Sequence, residues 1–168
     1  DYYANVDGLD WFCREVLPRV RCRVRGAELW LVGRNPVPRV RRLARREGVR
    51  LLGQVPEVPP LLGRAWAAVV PLRVARGVQN KLLEAMACGL PVVATPAALE
   101  GIGARPGQEV LVADDPEGFA AALVEALTDA GVRRALGAAA RAYVERHHRW
   151  EDQLRVLCLL YTSPSPRD

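Results

Sequence analysis

The stretch RVARGVQNKLLEAMACGLPVVAT, Arg73 to Thr95, decides how the chain is read. QNKLLEAMACG has helical spacing, and Leu82, Leu83, Ala85, Met86 and Ala87 make that helix apolar nearly all round, as a helix packed on both sides should be. Gly89 ends it and Pro91 prevents its continuation. PVVAT then reads as a strand of continuous apolar residues, the pattern of burial on both faces. Into this apolar frame the sequence sets Asn80, Lys81 and Glu84, neighbours across one helical turn. A carboxylate on a buried helix needs a partner or a task. Of the 24 basic residues Lys81 is the only lysine, so where charge alone suffices the chain writes arginine. The plain alternative is an intrahelical Lys81–Glu84 ion pair, contributing roughly a few tenths of a kcal/mol.

Working outward, the same kind of apolar run recurs in ELWLVG (Glu28–Gly33), VRLLG (Val49–Gly53), WAAVVPL (Trp66–Leu72) and EVLVAD (Glu109–Asp114). Helical patterns lie between them. The first is capped by Asn5 or Asp7, runs to about Leu17 and turns Leu9, Phe12 and Val16 inward. Others span Val37–Glu47, Val58–Arg64, Val78–Cys88, Pro116–Asp129 behind a cap at Asp114 or Asp115, and Val132–His148. Alternation of this kind predicts the α/β class: a Rossmann-like open parallel sheet with helices on both faces, one domain over residues 1–157.

Ligands of such sheets bind outside the carboxyl ends of the strands. WAAVVPL ends at Leu72, and the loop RVARGV runs straight into the QNKLLEAMACG helix. Arg73, Arg76, Gly77 and the free amides of Val78, Gln79 and Asn80 therefore gather at that edge. A helix N-terminus with unsatisfied N–H groups suits a phosphate, Gly77 lets the backbone approach closely, and Lys81 adds a compact charge. Glu84, one turn further on, is placed to accept hydrogen bonds from sugar hydroxyls. Arg34 in VGRNP ends another strand at the same edge, with a turn position as its plain reading; Glu100 in ALEGI reads first as a capping or surface residue, with a place near base or ribose as the alternative.

Composition narrows the function. At 168 residues the chain buries a sizeable core, and no apolar run is long enough to span a membrane. The formal charge is +5, concentrated in PRVRRLARREGVR (Pro38–Arg50), where Val40, Leu43 and Ala44 form an apolar face opposite the arginines. Without interleaved aromatic residues this reads as a solvated face and not as a nucleic-acid surface, although contact with an anionic membrane surface fits the charge. Cys13, Cys22 and Cys88 have neither metal-ligand nor redox spacing and read as reduced thiols of a cytosolic protein, Cys88 as a buried apolar residue. No G-x-G-x-x-G follows a predicted strand, which argues against a dinucleotide oxidoreductase; GIGARPG at Gly101 does not fit. The chain opens without a start methionine or leader and reads as a fragment. Residues 158–168, CLLYTSPSPRD, hold its only serines and match one reading frame of a transposase adapter used in sequencing libraries, so they are excluded from fold reasoning.

GVQNKLLEAMACGLPVVAT followed by ALEGI resembles the donor-nucleotide motif of retaining "group 1" glycosyltransferases of the GT-B fold. YYANVDGLDWFCREVLP, VGRNP and PLRVARGVQNKLLEAMA are similar to sugar transferases of exopolysaccharide clusters with PEP-CTERM/exosortase systems. The resemblance covers residues 1–157. It implies the C-terminal, donor-binding half of a two-domain enzyme, with the N-terminal acceptor domain and the first strand of this half missing. It further implies a UDP- or GDP-sugar donor, a glycan or lipid-linked acceptor, no cofactor or metal, and a cytoplasmic location, peripheral at the inner membrane face. The position of Glu84 is the family's ribose-binding glutamate, and the loop Gly77–Gln79 meets diphosphate and sugar through its amides. Where the family pattern has a second glutamate, eight positions earlier, this chain has Arg76; Asn5 sits near the place of the family's early diphosphate-binding lysine. Arg73, Arg76 and Lys81 are therefore expected to neutralise the diphosphate, with Arg76 and Lys81 as leaving-group stabilisers. The competing expectation is a stand-alone nucleotide-binding or regulatory module without catalysis.

Overall fold

The computed structural model describes residues 3–148; WEDQLRVL and the adapter-like tail lie outside the described residues. All five predicted strands are present, β2 (Val49–Gly53) with the expected bounds and the others shorter than expected: β1 (Leu29–Val32), β3 (Ala68–Val70), β4 (Val92–Ala94) and β5 (Leu111–Val112). Every pairing is parallel, as the continuous apolar runs require. The expected single sheet is divided in two, one of order β1-β2 and one of order β3-β4-β5. Unbroken apolar runs report burial on both faces but carry no register, so the sequence does not say which edges meet.

Helices cover both faces. Val92 and Ala94 of β4 enter one core with Leu82 and Met86 of α5 (Asn80–Ala87) and Ala140 and Tyr143 of α7 (Ala130–His147). Val93, pointing the other way, enters a second core with Phe12, Val16, Phe119 of α6 (Pro116–Thr128), and Leu31 and Val49 of the other sheet. The two sheets are thus joined through one shared core. Asp115 caps α6, accepting from the amides of Glu117 at 3.0 Å and Gly118 at 2.9 Å, and Asp129 caps α7 in the same way. Gly89 takes φ +73° after α5, the left-handed conformation that glycine adopts without strain. The shorter α3 (Pro38–Leu43) buries Val40 and Leu43, and α4 (Pro59–Leu62) is a single turn.

The first helix departs from expectation. It starts at Tyr3 as α1 (Tyr3–Trp11), passes through a π-helical turn (Phe12–Val16) and continues as α2 (Leu17–Arg23). Asn5 and Asp7 therefore lie inside α1 and do not cap it. The helix was expected to end at about Leu17, yet it continues through Pro18, although an interior proline lacks a donor and collides with the preceding turn. The π turn widens the helix just before it, with the Leu17 N–H bonding the Phe12 carbonyl five residues back, and the chain passes through.

Gly8 of α1 sits against the end of β3, where an added Cβ would lie 2.2 Å from the Pro71 carbonyl oxygen. Gly8→Ala is expected to lower stability by about 1–3 kcal/mol in thermal or urea unfolding, because backbone must move apart. Gly33→Ala, where a Cβ meets nothing within 4 Å, should stay within about 0.5 kcal/mol of the parent.

Candidate functional site

The loop from β3 to α5 stands on buried supports. The Thr95 hydroxyl, 3% exposed at the end of β4, donates to the Leu72 carbonyl and fixes the point where the loop leaves the sheet. Ala75 is buried, and the chain then emerges at Arg76, Gly77 and Val78, all exposed. Gly77 takes φ +69°, with nothing within 4 Å of the place a Cβ would occupy. Gln79 closes the loop on itself, its Nε2 donating to the Gly77 carbonyl at 3.1 Å and, more weakly, to that of Arg76 at 3.5 Å. No side chain caps α5, so the first-turn N–H groups of Asn80 and Lys81 face outward without a side-chain acceptor.

The helix itself corrects one expectation. Leu82, Ala85 and Met86 are buried, but Asn80, Lys81, Glu84 and Ala87 form an exposed stripe, so α5 is one-sided and not packed all round. Small alanines had made it look more deeply buried than it is. Glu84 is consequently open to solvent, and among the described residues its carboxylate has no hydrogen-bond or ion-pair partner. The intrahelical Lys81–Glu84 pair is not formed. Lys81 instead donates across to Asn5 Oδ1 of α1. The lysine side chain keeps an exposed flank, yet surrounding protein removes enough water from its ammonium to lower its pKa below the ordinary 10.5.

Sequence reasoning placed Asn5 nearby but missed Asp7, whose Oδ2 lies 3.9 Å from Arg73 Nε. Their signal was Gly8, the position that lets α1 lie against the end of β3. Arg73 and Arg76 are exposed, and Arg76 has no charged partner among the described residues. Gly101 packs on the loop, since a Cβ there would lie 3.4 Å from Val78 Cγ2, so Glu100 is brought beside the site. Arg34 is exposed beyond β1 in the other sheet, and no hydrogen bond or ion pair joins it to the loop. His147 and His148 end α7 against Tyr143. Among the described residues no three His, Cys, Asp or Glu side chains could together hold a metal ion, and no helix is long and apolar enough to cross a membrane. Cys88 is half-buried and not fully enclosed as expected.

Taken together, the edge offers free amides, three cationic side chains and an unpaired carboxylate one turn behind them. That arrangement can hold a compact anion joined to a hydroxyl-bearing group.

The model of the family described as glycosyl transferases group 1 matches residues 1–129, and the chain belongs to that family. No curated protein sequence matches it. Among solved structures, Anabaena HepE in complex with UDP and glucose superposes with a TM-score of 0.73 at 17% identity, over 92% of this chain and 46% of that one. Sucrose-phosphate synthase from Thermosynechococcus elongatus gives 0.76 at 23% identity, over 96% and 42%. S. aureus TarM, in complex with fondaparinux, alpha-GlcNAc-glycerol and UDP, gives 0.79 at 15% identity, over 96% and 34%. At such identities the likeness establishes the fold, and the chain spans less than half the length of each of these structures.

Because Lys81 is the only lysine, reductive methylation with labelled formaldehyde should give one side-chain NMR signal, separable from the terminal amine. Its titration midpoint is expected below 10.5, and Glu84→Gln should leave it nearly unchanged, since the two are not paired. The sign for stability follows. Between the lowered folded pKa and 10.5 the unfolded chain holds a proton that the folded chain releases, so Lys81 makes stability rise with pH through that window. A midpoint that shifts strongly in Glu84→Gln would restore the ion pair.

Proposed function

We propose that this chain is the donor-binding half of a retaining glycosyltransferase that moves a sugar from a nucleotide-diphosphate sugar to a glycan or lipid-linked acceptor. The observation that carries the reading is the uncapped start of α5 at the carboxyl end of β3, with exposed Glu84 unpaired one turn behind it. The diphosphate lies on the amides of Val78, Gln79 and Asn80, with Gly77 giving close access. Arg73, Arg76 and Lys81 take its charge, and Glu84 accepts hydrogen bonds from the ribose hydroxyls. Breaking the bond between the sugar C1 and the diphosphate oxygen leaves negative charge on the departing nucleotide. Cations and amides fixed beforehand at that place stabilise it as it develops. The reading assigns this work to side chains and needs no metal or cofactor.

UDP in the HepE and TarM structures favours a uridine nucleotide over GDP as donor base. An acceptor must be held against the sugar by a second domain, so this half is expected to bind donor without transferring it. Exopolysaccharide synthesis at the inner face of the membrane, with the arginine face of Pro38–Arg50 touching lipid, completes the proposal.

The test is calorimetric titration of UDP and GDP into the chain and into Glu84→Ala. One nucleotide should bind, and Glu84→Ala should weaken it about 10-fold or more, as loss of hydroxyl bonds to a charged acceptor costs about 1.5–3 kcal/mol. Equal binding by Glu84→Ala removes the ribose role. No binding of either nucleotide to folded chain removes the donor-site reading.

A further inference from the structure

A second concentration of charge lies apart from the donor edge. The turn from α2 to β1 and the turn from α3 to β2 enclose an open cavity of about 710 Å³, at the amino ends of β1 and β2. The donor loop, by contrast, leaves the carboxyl end of β3. Leu17 and Pro18 give the cavity an apolar wall, and Arg21, Arg25 and Arg46 point charge toward it, against the single carboxylate of Glu47. Volumes of about 300–1,000 Å³ are those of small-molecule sites.

The arginines are not equivalent. Arg21 is fixed: its guanidinium donates to the Ala27 carbonyl at 2.6 Å and to Glu47, and its side chain is only 21% exposed. Gly48, at φ +77°, makes room for it, since a Cβ there would lie 2.5 Å from Arg21 Nη1. The guanidinium groups of Arg25 and Arg46 have no hydrogen-bond or ion-pair partner among the described residues. The Arg46 charge reaches the cavity floor, where it opposes the burial that pushes the Cys13 thiol up to about 11. One guanidinium is thus preorganised and neutralised by Glu47, while two further cations face the same space without counter-charge.

We propose that this cavity is a binding site for a phosphate monoester, its head held by Arg25 and Arg46 beside the fixed fork of Arg21 and its body lying on Leu17 and Pro18. Two uncompensated cations match the dianion of a phosphate monoester, which a carboxylate would only half neutralise, and guanidinium forks fit phosphate oxygens in pairs. The phosphate can come from a soluble ester or from a lipid headgroup, and the chemistry of the head is the same. The site stands independently of the donor reading.

Cys22 lines the cavity and is exposed, whereas Cys13 is buried with its thiol pKa raised, so alkylation of Cys22 reports occupancy locally. The full 168-residue chain is treated with limiting iodoacetamide over a series of inorganic phosphate concentrations, with chloride at matched ionic strength, and the Cys22 peptide is followed by mass spectrometry. Phosphate should slow the reaction saturably and chloride should not. Arg25→Ala/Arg46→Ala, with an unchanged melting temperature, should move the phosphate midpoint up about 10-fold or more, the loss of at least one charge-assisted hydrogen bond. Lys81→Met should leave it where it is. Slowing by chloride as well, an unmoved midpoint in the double variant, or loss of protection in Lys81→Met each overturns the proposal. With the midpoint moved as expected, vesicles of phosphatidic acid against phosphatidylcholine separate the sources. Sedimentation with phosphatidic acid that fails in the double variant assigns a lipid headgroup, and phosphate protection without sedimentation assigns a soluble ester.

Discussion

Everything in this fold depends on covering both faces of a strand three residues long. Val92, Val93 and Ala94 of β4 are all fully buried, and successive side chains of a strand point to opposite sides. One helical layer, α5 with α7, must therefore lie over Val92 and Ala94, and another, α1, α2 and α6, over Val93. Burying one such large apolar side chain contributes roughly 1.5–3 kcal/mol, so neither layer can lift away without losing much of a typical domain's net stability. With both faces closed, only the strand ends remain open to a ligand, and the loop from β3 to α5 and the arginine-lined cavity both lie at strand ends.

The buried polar groups serve this arrangement. Asp10, Thr95 and Glu109 are the buried polar residues among those described, and each has partners. Burial pushes the Asp10 carboxyl up, but hydrogen bonds from Arg39 and Arg14 outweigh it and the pKa ends below the ordinary value. Glu109 is held low by its hydrogen bonds with Arg105, against the opposing effect of burial. Both carboxylates contribute stability above their unfolded pKa values and lose it as pH falls through the lowered folded values. Asp10 ties the first helix to α3 through Arg39, and Glu109 ties the segment before β5 to α7 through Arg146 at 3.5 Å. Thr95 pins the start of the loop from β3 to α5. Charge inside this protein joins elements, while charge at its edges is left free.

Much of this was legible in the sequence. Apolar runs gave all five strands, Asp115 and Gly89 gave helix boundaries, and the loop from Arg73 to Asn80 was placed at the end of a strand because its neighbours were readable as strand and helix. Three things were not legible, each for a physical reason. The first helix was expected to end near Leu17, but a π turn at Phe12–Val16 carries it on past Pro18, and apolar spacing does not announce such a turn. The split between β1-β2 and β3-β4-β5 concerns adjacency, on which continuous apolar strands are silent. The company kept by Lys81 is tertiary: residues three apart on a helix face each other, but Asn5, far away in the chain, lies across the gap and takes the lysine. That exchange leaves Glu84 free, which spacing alone argued against.

Many of the arginines are held by partners within the fold, and those pairings carry more information than the net charge. Arg14 and Arg39 share Asp10, and Arg105 and Arg146 share Glu109, so each of these pairs is half neutralised inside the protein's own framework, while Arg19 and Arg23 share Glu117 and Arg19 also reaches Glu15. Arg64 lies over the Trp30 ring and Arg133 over Trp66, where an aromatic face replaces the carboxylate. Arg76 in the loop from β3 to α5 and Arg25 and Arg46 at the cavity have neither kind of partner among the described residues. A charge used only for solubility needs no particular place, and exposed ion pairs contribute little to stability. Cations left unpaired beside open backbone amides, or around a cavity with an apolar wall, are a different matter. Their mutual repulsion is relieved when an anion arrives, so the energy that the fold does not recover from them internally is available to binding.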